Sequence, residues 1–279
     1  MKALKLLPTA ALAALLLAAC NNEPAKEEPK TEPTVTTPAI KEDNVSYTGG
    51  GISMNGFVVY DENKQGPRPA VIVIPEWWGL NDYAKSRARS LADLGYIAMA
   101  IDMYGNGITA DNPDSAGKYA TPFYKDPIMM QTRFDAALAK LKTYAQTDST
   151  RVAAIGYCFG GAQVLNLARL GENLKGVVSF HGNLLGVPLD ASKLKADILV
   201  CHGNADPFVP NTEVEKFKKE MDAAGKSYTF KGYDGATHAF TNPNATAMGE
   251  KFKMPIKYDA AADTASWNEM KVFLEKVFK

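Results

Sequence analysis

The chain has 279 residues, of which 31 are basic, 31 are acidic and 46% are hydrophobic, enough for a domain with a sizeable core. The balanced charge, without a basic run, argues against a nucleic-acid-binding protein. The three cysteines are too few for a disulfide framework and lack the C-x-x-C spacing of zinc sites, so we expect no metal and no other cofactor.

The N-terminus has the composition of an export signal. Two lysines precede an apolar stretch, residues 6–19, which is short for a membrane-spanning helix. Leu17-Ala18-Ala19-Cys20 resembles the lipobox of bacterial lipoproteins. The resemblance implies a signal peptide at residues 1–19, a lipid on Cys20, and export to the cell envelope with a lipid anchor in a bacterial membrane. An ordinary signal peptide or an uncleaved anchor is the alternative.

Residues 20–43 are predicted to be the lipidated cysteine and a disordered tether. The segment has four prolines among Glu, Lys and Thr, and almost no large apolar side chain. Such a composition cannot bury enough surface to offset the entropy of ordering, and proline keeps it semi-extended. The folded domain is therefore expected at residues 44–279.

Strands and helices alternate through that domain. After a hairpin at 44–48 and 52–60, apolar runs predict buried strands at 70–74, 96–101, 151–157, 177–180, 198–202 and 228–233. Apolar spacing with caps or glycine stops predicts helices at 82–94, 128–146, 162–170, 213–224 and 267–277. The pattern predicts an α/β fold with a mostly parallel central sheet, helices on both faces, and ligands at the carboxyl ends of the strands.

One region interrupts the alternation. Residues 105–127 are predicted to be irregular, with a short helix near 114–120. A segment of that length beside a site is long enough to serve as a lid.

The run Gly156-Tyr157-Cys158-Phe159-Gly160-Gly161 joins a predicted strand to a predicted helix. A G-x-C-x-G turn in this context is similar to the nucleophile elbow of α/β-hydrolases, with cysteine in place of serine. Gly156 and Gly160 are expected where any Cβ would collide with backbone, and Cys158 at a helix N-terminus, which stabilises a thiolate. The alternative is that Cys158 is a small buried hydrophobe.

A cysteine nucleophile needs a base, and the base needs an orienting acid. Asp206 and His238 follow Cys158 in the order that the elbow fold uses, each on a loop after a strand. His181 and His202 stand in strand-end His-Gly pairs, where loop packing is the expected role. The alternatives are a surface histidine at 238 and a turn cap at Asp206.

Five segments together resemble the dienelactone hydrolase family, from about residue 45 to the C-terminus. They are Val71-Ile72-Val73-Ile74-Pro75-Glu76, Asp102-Met103-Tyr104-Gly105, Gly156-Tyr157-Cys158-Phe159-Gly160-Gly161, His202-Gly203-Asn204-Ala205-Asp206 with Val209-Pro210, and Gly235-Ala236-Thr237-His238-Ala239-Phe240. The resemblance implies the α/β-hydrolase fold and hydrolysis of small esters or lactones through a thioacyl-enzyme. It implies a triad of Cys158, Asp206 and His238.

The resemblance also assigns roles to the strand-end segment at 76–77. Glu76 would contact the resting thiol and help to deprotonate it, and the backbone N–H groups of Trp77 and Phe159 would form the oxyanion hole. The alternative for Glu76 is a hydrogen bond that holds a loop. Trp77 and Trp78 indicate either an apolar wall or core packing.

The chain departs from the family pattern after the predicted base. The dienelactone enzymes bind the substrate carboxylate with arginines, one of them a few residues past the catalytic histidine, and residues 240–244 contain none. We therefore expect backbone or tyrosine groups to hold Glu76.

Besides an enzyme that acts on a small ester or lactone, two other functions stay open at this point. The first is a non-catalytic binding lipoprotein that retains the fold, and the second is a redox protein. Cys158 as a thiol redox centre would need a resolving partner, and Cys201 lies in an apolar strand that predicts a core position. The expected contacts are a small-molecule substrate and, through the lipid alone, a membrane.

Overall fold

An eight-stranded sheet forms the centre of the described chain, which comprises Met1 and residues 37–279 of this computed structural model. The strands are β1 (Ile40–Gly49), β2 (Ile52–Asp61), β3 (Arg68–Ile74), β4 (Ile97–Ile101), β5 (Thr147–Tyr157), β6 (Gly176–Phe180), β7 (Asp197–Gly203) and β8 (Thr229–Tyr233). Their order is β1-β2-β4-β3-β5-β6-β7-β8. The pairs β1–β2 and β2–β4 are antiparallel and all other neighbours are parallel, as the alternating pattern predicts.

Helices cover both faces of this sheet. They are α1 (Asp82–Asp93), α2 (Pro113–Lys125), α3 (Pro127–Leu141), α4 (Phe159–Leu170), α5 (Asn211–Ala223), α6 (Ala245–Phe252) and α7 (Ala260–Val277). Buried residues of α2 to α5 join the core on one face, and those of α1 and α7 join the core on the other. The predicted three-layer α/β arrangement is confirmed.

The middle strand β3 shows why its sequence is apolar throughout. Ala70, Ile72 and Ile74 enter one core, whereas Val71 and Val73 enter the other. Successive side chains of a strand point to opposite faces, so a strand covered on both sides is apolar at every position.

The domain begins earlier than its predicted boundary at residue 44. β1 starts at Ile40, which pairs with Asp61, and the Asp61 carboxylate accepts the backbone N–H of Ala39 at 2.9 Å. Residues 40–43 are therefore strand rather than tether, because β2 offers them a continuous partner. The predicted signal peptide, Cys20 and the tether up to residue 36 lie outside the described residues. Within the described part, no helix has the length and apolarity needed to cross a membrane.

Four helices differ clearly from their prediction. α3 ends at Leu141, five residues before the predicted end at 146, because the chain turns there into β5, which already begins at Thr147. The region 105–127 contains a 13-residue helix, α2, whose N-cap Asn112 accepts the N–H of Ser115 at 2.9 Å. The short helix α6 is not predicted at all. α7 starts at Ala260 instead of residue 267, where Asp259 caps the Ala262 N–H, because its alanine-rich first turns favour a helix without apolar periodicity.

Candidate active site

Cys158 occupies a sharp turn between β5 and α4. Its backbone has φ +53° and ψ −112°, a strained conformation that is concentrated at functional sites. A Cβ on Gly156 would lie 2.0 Å from the Gly160 carbonyl oxygen, and one on Gly160 would lie 2.2 Å from the Ile74 oxygen. The predicted need for both glycines is confirmed. The cysteine stands at the N-cap of α4, at the positive end of the helix dipole.

His181 lies directly behind the nucleophile turn. The Cys158 backbone N–H donates to the Phe180 carbonyl oxygen at 3.0 Å and to His181 Nδ1 at 3.1 Å. Burial, with the positive charges of His238 and Arg87, holds the pKa of His181 well below its ordinary value. The ring is therefore neutral, with its proton on Nε2, because Nδ1 accepts a hydrogen bond. The sequence predicts only loop packing here and misses this contact.

The proton on His181 continues a hydrogen-bonded chain toward α1 and α7. Nε2 of His181 is 2.7 Å from Thr241 Oγ1, which is 2.6 Å from the Tyr83 hydroxyl. Arg87 donates to that hydroxyl at 3.3 Å, to the Thr241 carbonyl oxygen, and to Asp263 at 2.7 Å. This network ties the turn carrying the cysteine to two helices on the opposite face of the sheet.

His238 and Asp206 form a buried pair on the loops after β8 and β7. Nδ1 of His238 is 2.8 Å from Asp206 Oδ2, and Asp206 Oδ1 accepts the N–H groups of Phe208 at 2.8 Å and Val209 at 3.3 Å. Burial lowers the pKa of His238, but the Cys158 sulfur and the Asp206 carboxylate outweigh burial and raise that pKa well above its ordinary value. Both residues are where the sequence places them, and the imidazolium form is stabilised.

Glu76 is buried at the carboxyl end of β3, and its side chain is held by an amide. Asn242 Nδ2 donates to Glu76 Oε2 at 2.7 Å, so the expectation of a backbone or tyrosine partner is wrong. Burial raises the pKa of Glu76 to about 7, against the opposing effects of Asn242, His238 and Arg87. Glu76 and Cys158 line the same cavity. Among the described residues no hydrogen bond joins them, so the contact with the resting thiol stays a prediction.

Two residues that line the cavity have backbone N–H groups without a protein acceptor among the described residues. Within residues 37–279 no protein acceptor takes the N–H of Trp77 or of Phe159, and both residues line the cavity. The Tyr104 hydroxyl donates to the Trp77 carbonyl oxygen at 2.8 Å and so holds this segment in place. The pair is available to an oxygen atom near Cys158.

The cavity around Cys158 has a volume of about 290 Å³. Its walls come from the loops after the strands and from α2, which contributes Gly117, Ala120, Thr121 and Tyr124. The ring centres of Trp77 and Trp78 are 5.2 Å apart, and both residues line the cavity as the apolar wall that the sequence offers as one alternative. The region predicted as a possible lid therefore supplies one wall.

Cys201 and His202 lie in β7, away from this chemistry. Cys201 is buried in the core and carries a free thiol whose pKa burial raises to about 12, so its predicted core position is confirmed. The His202 ring is buried against Phe230, with no hydrogen-bond partner for either nitrogen among the described residues. In that part of the chain no group of three or more His, Cys, Asp or Glu could hold a metal ion.

The chain is similar to one protein family and to several known proteins. The model of the dienelactone hydrolase family matches residues 54–278. "Protein usf" of Aquifex pyrophilus is 30% identical over 237 residues, covering 83% of this chain and 97% of that protein. A Bradyrhizobium protein named "Probable 2-oxo-3-(5-oxofuran-2-ylidene)propanoate lactonase" is 30% identical over 219 residues, covering 75% of this chain and 84% of its own.

A solved structure extends the likeness to three dimensions. The dienelactone hydrolase-like promiscuous phosphotriesterase P91, from metagenomic libraries, has a TM-score of 0.80 at 38% identity, covering 86% of this chain and 99% of its own. The family match spans most of the folded domain, including the elbow and both loops of the His–Asp pair. This chain belongs to the dienelactone hydrolase family and is a hydrolase with the α/β-hydrolase fold.

Proposed function

We propose that this protein hydrolyses carboxylic ester or lactone bonds of small substrates through a thioacyl-enzyme intermediate on Cys158. The observation that carries the proposal is one cavity in which the cysteine at a helix N-terminus meets the His238–Asp206 pair and two unpaired backbone N–H groups. A nucleophile, a base with its orienting acid, and oxyanion donors are the parts that acyl transfer requires.

In acylation, the sulfur of Cys158 attacks the carbonyl carbon, and the carbonyl electron pair moves onto oxygen. The N–H groups of Trp77 and Phe159 stabilise that oxyanion, and each such donor is worth roughly 3 kcal/mol. His238, in its imidazolium form, holds the proton that the thiol has given up. Collapse of the intermediate breaks the bond to the alkoxide, which takes a proton from His238 and leaves the thioester.

In deacylation, His238 removes a proton from water, and the resulting hydroxide attacks the thioester carbon. Collapse expels the Cys158 thiolate, the proton returns from His238 to the sulfur, and the carboxylic acid departs. Asp206, at 2.8 Å from Nδ1, fixes the tautomer of His238 and stabilises its positive form in both steps.

We further infer that Glu76 takes part in activating the thiol. Burial raises the pKa of Glu76 to about 7, which allows its carboxyl group to exchange protons near neutral pH. Asn242 holds the carboxylate without neutralising it, because an amide donates a hydrogen bond but carries no charge.

The proposal is tested with the purified protein and p-nitrophenyl butyrate. Cys158→Ala should reduce hydrolysis to the background rate with unchanged circular dichroism, and Cys158→Ser should retain much less activity than the thiol enzyme. A folded Cys158→Ala variant with the wild-type rate would contradict the assignment. The alternative, a binding lipoprotein without turnover, predicts no hydrolysis by wild-type protein with any member of an ester and lactone panel.

We also propose that the protein is exported and anchored to a bacterial membrane by a lipid on Cys20. The support is the small-residue run that directly precedes this cysteine and the proline-rich spacer after it. Cys20→Ser should move the protein from the membrane fraction to the soluble fraction or block its maturation. Unmodified Cys20, detected by mass spectrometry in membrane-fractionated protein, would contradict the proposal.

A further inference from the structure

The cavity beside Cys158 is lined without a single lysine or arginine among the described residues. Nine of its fifteen lining residues are alanine, methionine, isoleucine, phenylalanine, tryptophan or tyrosine: Trp77, Trp78, Ala120, Tyr124, Phe159, Phe208, Ala239, Met254 and Ile256. Tyr124 and Phe208 are each 46% exposed, which places them toward the open side of the cavity. A ligand that enters therefore meets mainly apolar and aromatic surface.

The positive charge of His238 is not free to hold an anionic ligand. The imidazole is bound at 2.8 Å to the Asp206 carboxylate and interacts with the Cys158 sulfur. Glu76, the acid that lines the cavity among the described residues, adds negative charge to it when ionised.

Arg87 lies near Glu76, but its guanidinium is committed elsewhere. It donates to the Thr241 carbonyl oxygen and to Asp263, and its carbon centre is 5.2 to 5.5 Å from the ring centres of Tyr83, Tyr157 and Trp267. Only 12% of its side chain is exposed. Arg87 cannot reach a ligand beside Cys158 without breaking these contacts.

Among the described residues, no lysine of α2 or α6 lines the cavity. Lys251 Nζ is 4.8 Å from the ring centre of Phe252, which in turn stacks on Trp78. Lys118 and Lys125 line a groove along α2 that adjoins the cavity at Gly117 and Thr121, and neither lysine is part of the cavity lining. A carboxylate on the acyl part of a substrate would thus lose its hydration in the cavity without gaining a cation, which is costly for an ion in apolar surroundings.

We propose that this enzyme selects substrates whose acyl part is uncharged and apolar, a short alkyl chain or a small ring, and rejects those with a carboxylate on that part. The volume of about 290 Å³ limits the group to a small one. This inference rests on the proposed function of Cys158, since it describes the acyl group that the sulfur would receive.

The first test compares two esters that share a leaving group and a four-carbon acyl chain. They are ethyl butyrate and the monoethyl ester of succinic acid, which ends in a carboxylate, with the released acid followed by titration at constant pH. We expect kcat/KM to be at least ~100-fold higher for the butyrate, because the free carboxylate of the succinyl ester loses its hydration in the cavity. Values within threefold of each other would overturn the inference, whereas a Cys158→Ala variant that hydrolyses both would contradict the proposed function instead.

A second test does not depend on turnover. Butyraldehyde and succinate semialdehyde each add the Cys158 S–H across the aldehyde carbonyl, reversibly, and so mimic the two acyl groups on the sulfur. Protection of Cys158 from alkylation by iodoacetamide is measured against either aldehyde, with Cys158→Ala as the blank for other thiols. Half-protection should need at least ~30-fold less butyraldehyde. Equal protection would overturn the inference even for a protein that hydrolyses nothing.

A third measurement supplies the missing cation. Met254 lines the cavity and is partly exposed, so Met254→Lys places an ammonium in its wall, and Met254→Leu is the matched control. The lysine variant should raise the ratio of succinyl to butyryl ester hydrolysis by ~10-fold, and the leucine variant should leave that ratio unchanged. The same ratio in all three proteins would contradict the explanation by absent positive charge.

Discussion

Replacement of the buried carboxyl group by an amide, in Glu76→Gln, separates the charge of this side chain from its shape. Glutamine has nearly the same volume, and its Oε1 can still accept the hydrogen bond that Asn242 donates at 2.7 Å. What the variant loses is the ability to ionise and to take up a proton. Its stability and its kinetics therefore report on the same group through two independent measurements.

The expected magnitude follows from the pKa of Glu76. This pKa is raised by burial from an ordinary value of 4.5 to about 7 in the folded protein, so the folded state binds the proton more tightly than the unfolded chain. The contribution of Glu76 to stability is then greatest below pH 4.5, falls as the pH rises through the window up to about 7, and is constant above it. At 1.36 kcal/mol for each pH unit, ionisation of Glu76 costs the wild-type fold about 3 kcal/mol at pH 8.

Urea unfolding of both proteins at pH 4, 6 and 8 measures this cost. Glu76→Gln should be more stable than wild type by about 3 kcal/mol at pH 8 and nearly equal at pH 4. Glu250→Gln, at an exposed position, is the control and should show no such trend. A pH-independent difference, or a glutamine variant that is less stable at pH 8, would refute the reasoning.

The kinetic expectation for the same variant is a slower acylation burst with deacylation through His238 largely kept. Burst and steady-state rates on one ester, with thiol alkylation followed against pH, measure both steps. An unchanged burst and an unchanged alkylation profile would reduce Glu76 to a structural residue.

Three further variants test the surroundings of the site. Asn242→Ala removes a donor that lowers the pKa of Glu76, so the limb of the pH–rate profile that Glu76 controls should move to higher pH; an unmoved limb would contradict this. His181→Phe removes one of the two acceptors of the Cys158 N–H and the hydrogen bond between the His181 ring and Thr241. The loss should lower the free energy of unfolding by about 1–3 kcal/mol in urea. Gly160→Ala places a Cβ 2.2 Å from the Ile74 oxygen and should prevent folding or activity, whereas Gly117→Ala on α2, where a Cβ meets nothing within 4 Å, should be neutral or stabilise by up to about 1 kcal/mol. Wild-type stability of His181→Phe, or an active Gly160→Ala, would show that these contacts are not needed.

The sequence predicts the sheet and the turn that carries Cys158 because both depend on local sequence patterns. A strand buried on both faces is apolar throughout, as in β3, and the glycine frame around Cys158 marks a turn that tolerates no side chain at Gly156 or Gly160. The alternation of strands and loops also predicts that Cys158, Asp206 and His238 lie close together, because the loops after parallel strands meet at one edge of the sheet.

The groups that support the site are not visible in such patterns. Asn242 and Glu76 are 166 positions apart, and nothing near either residue marks it as a partner of the other. The role of His181 depends on β6 lying beside β5, which brings its ring under the Cys158 N–H. Both contacts arise from tertiary packing, and an isolated asparagine or histidine at a strand end gives no periodic signal of it.

The boundaries that differ have a similar cause. Residues 41–43 are charged, and they lie in a strand with Ile40 only because β2 is long enough to pair with them, from Ile40 opposite Asp61 onward. α6 is eight residues long, too short for apolar periodicity to identify, and α7 begins in a run of alanines.

The most direct test of the central claim is detection of the acyl group on the sulfur. Protein mixed with p-nitrophenyl butyrate is quenched in acid during the burst and analysed by intact mass and peptide mapping, with Cys158→Ala as the control. The account predicts a mass increase of one butyryl group, on Cys158 alone, that is absent from Cys158→Ala. Turnover without an adduct, or an adduct on another residue, would contradict it.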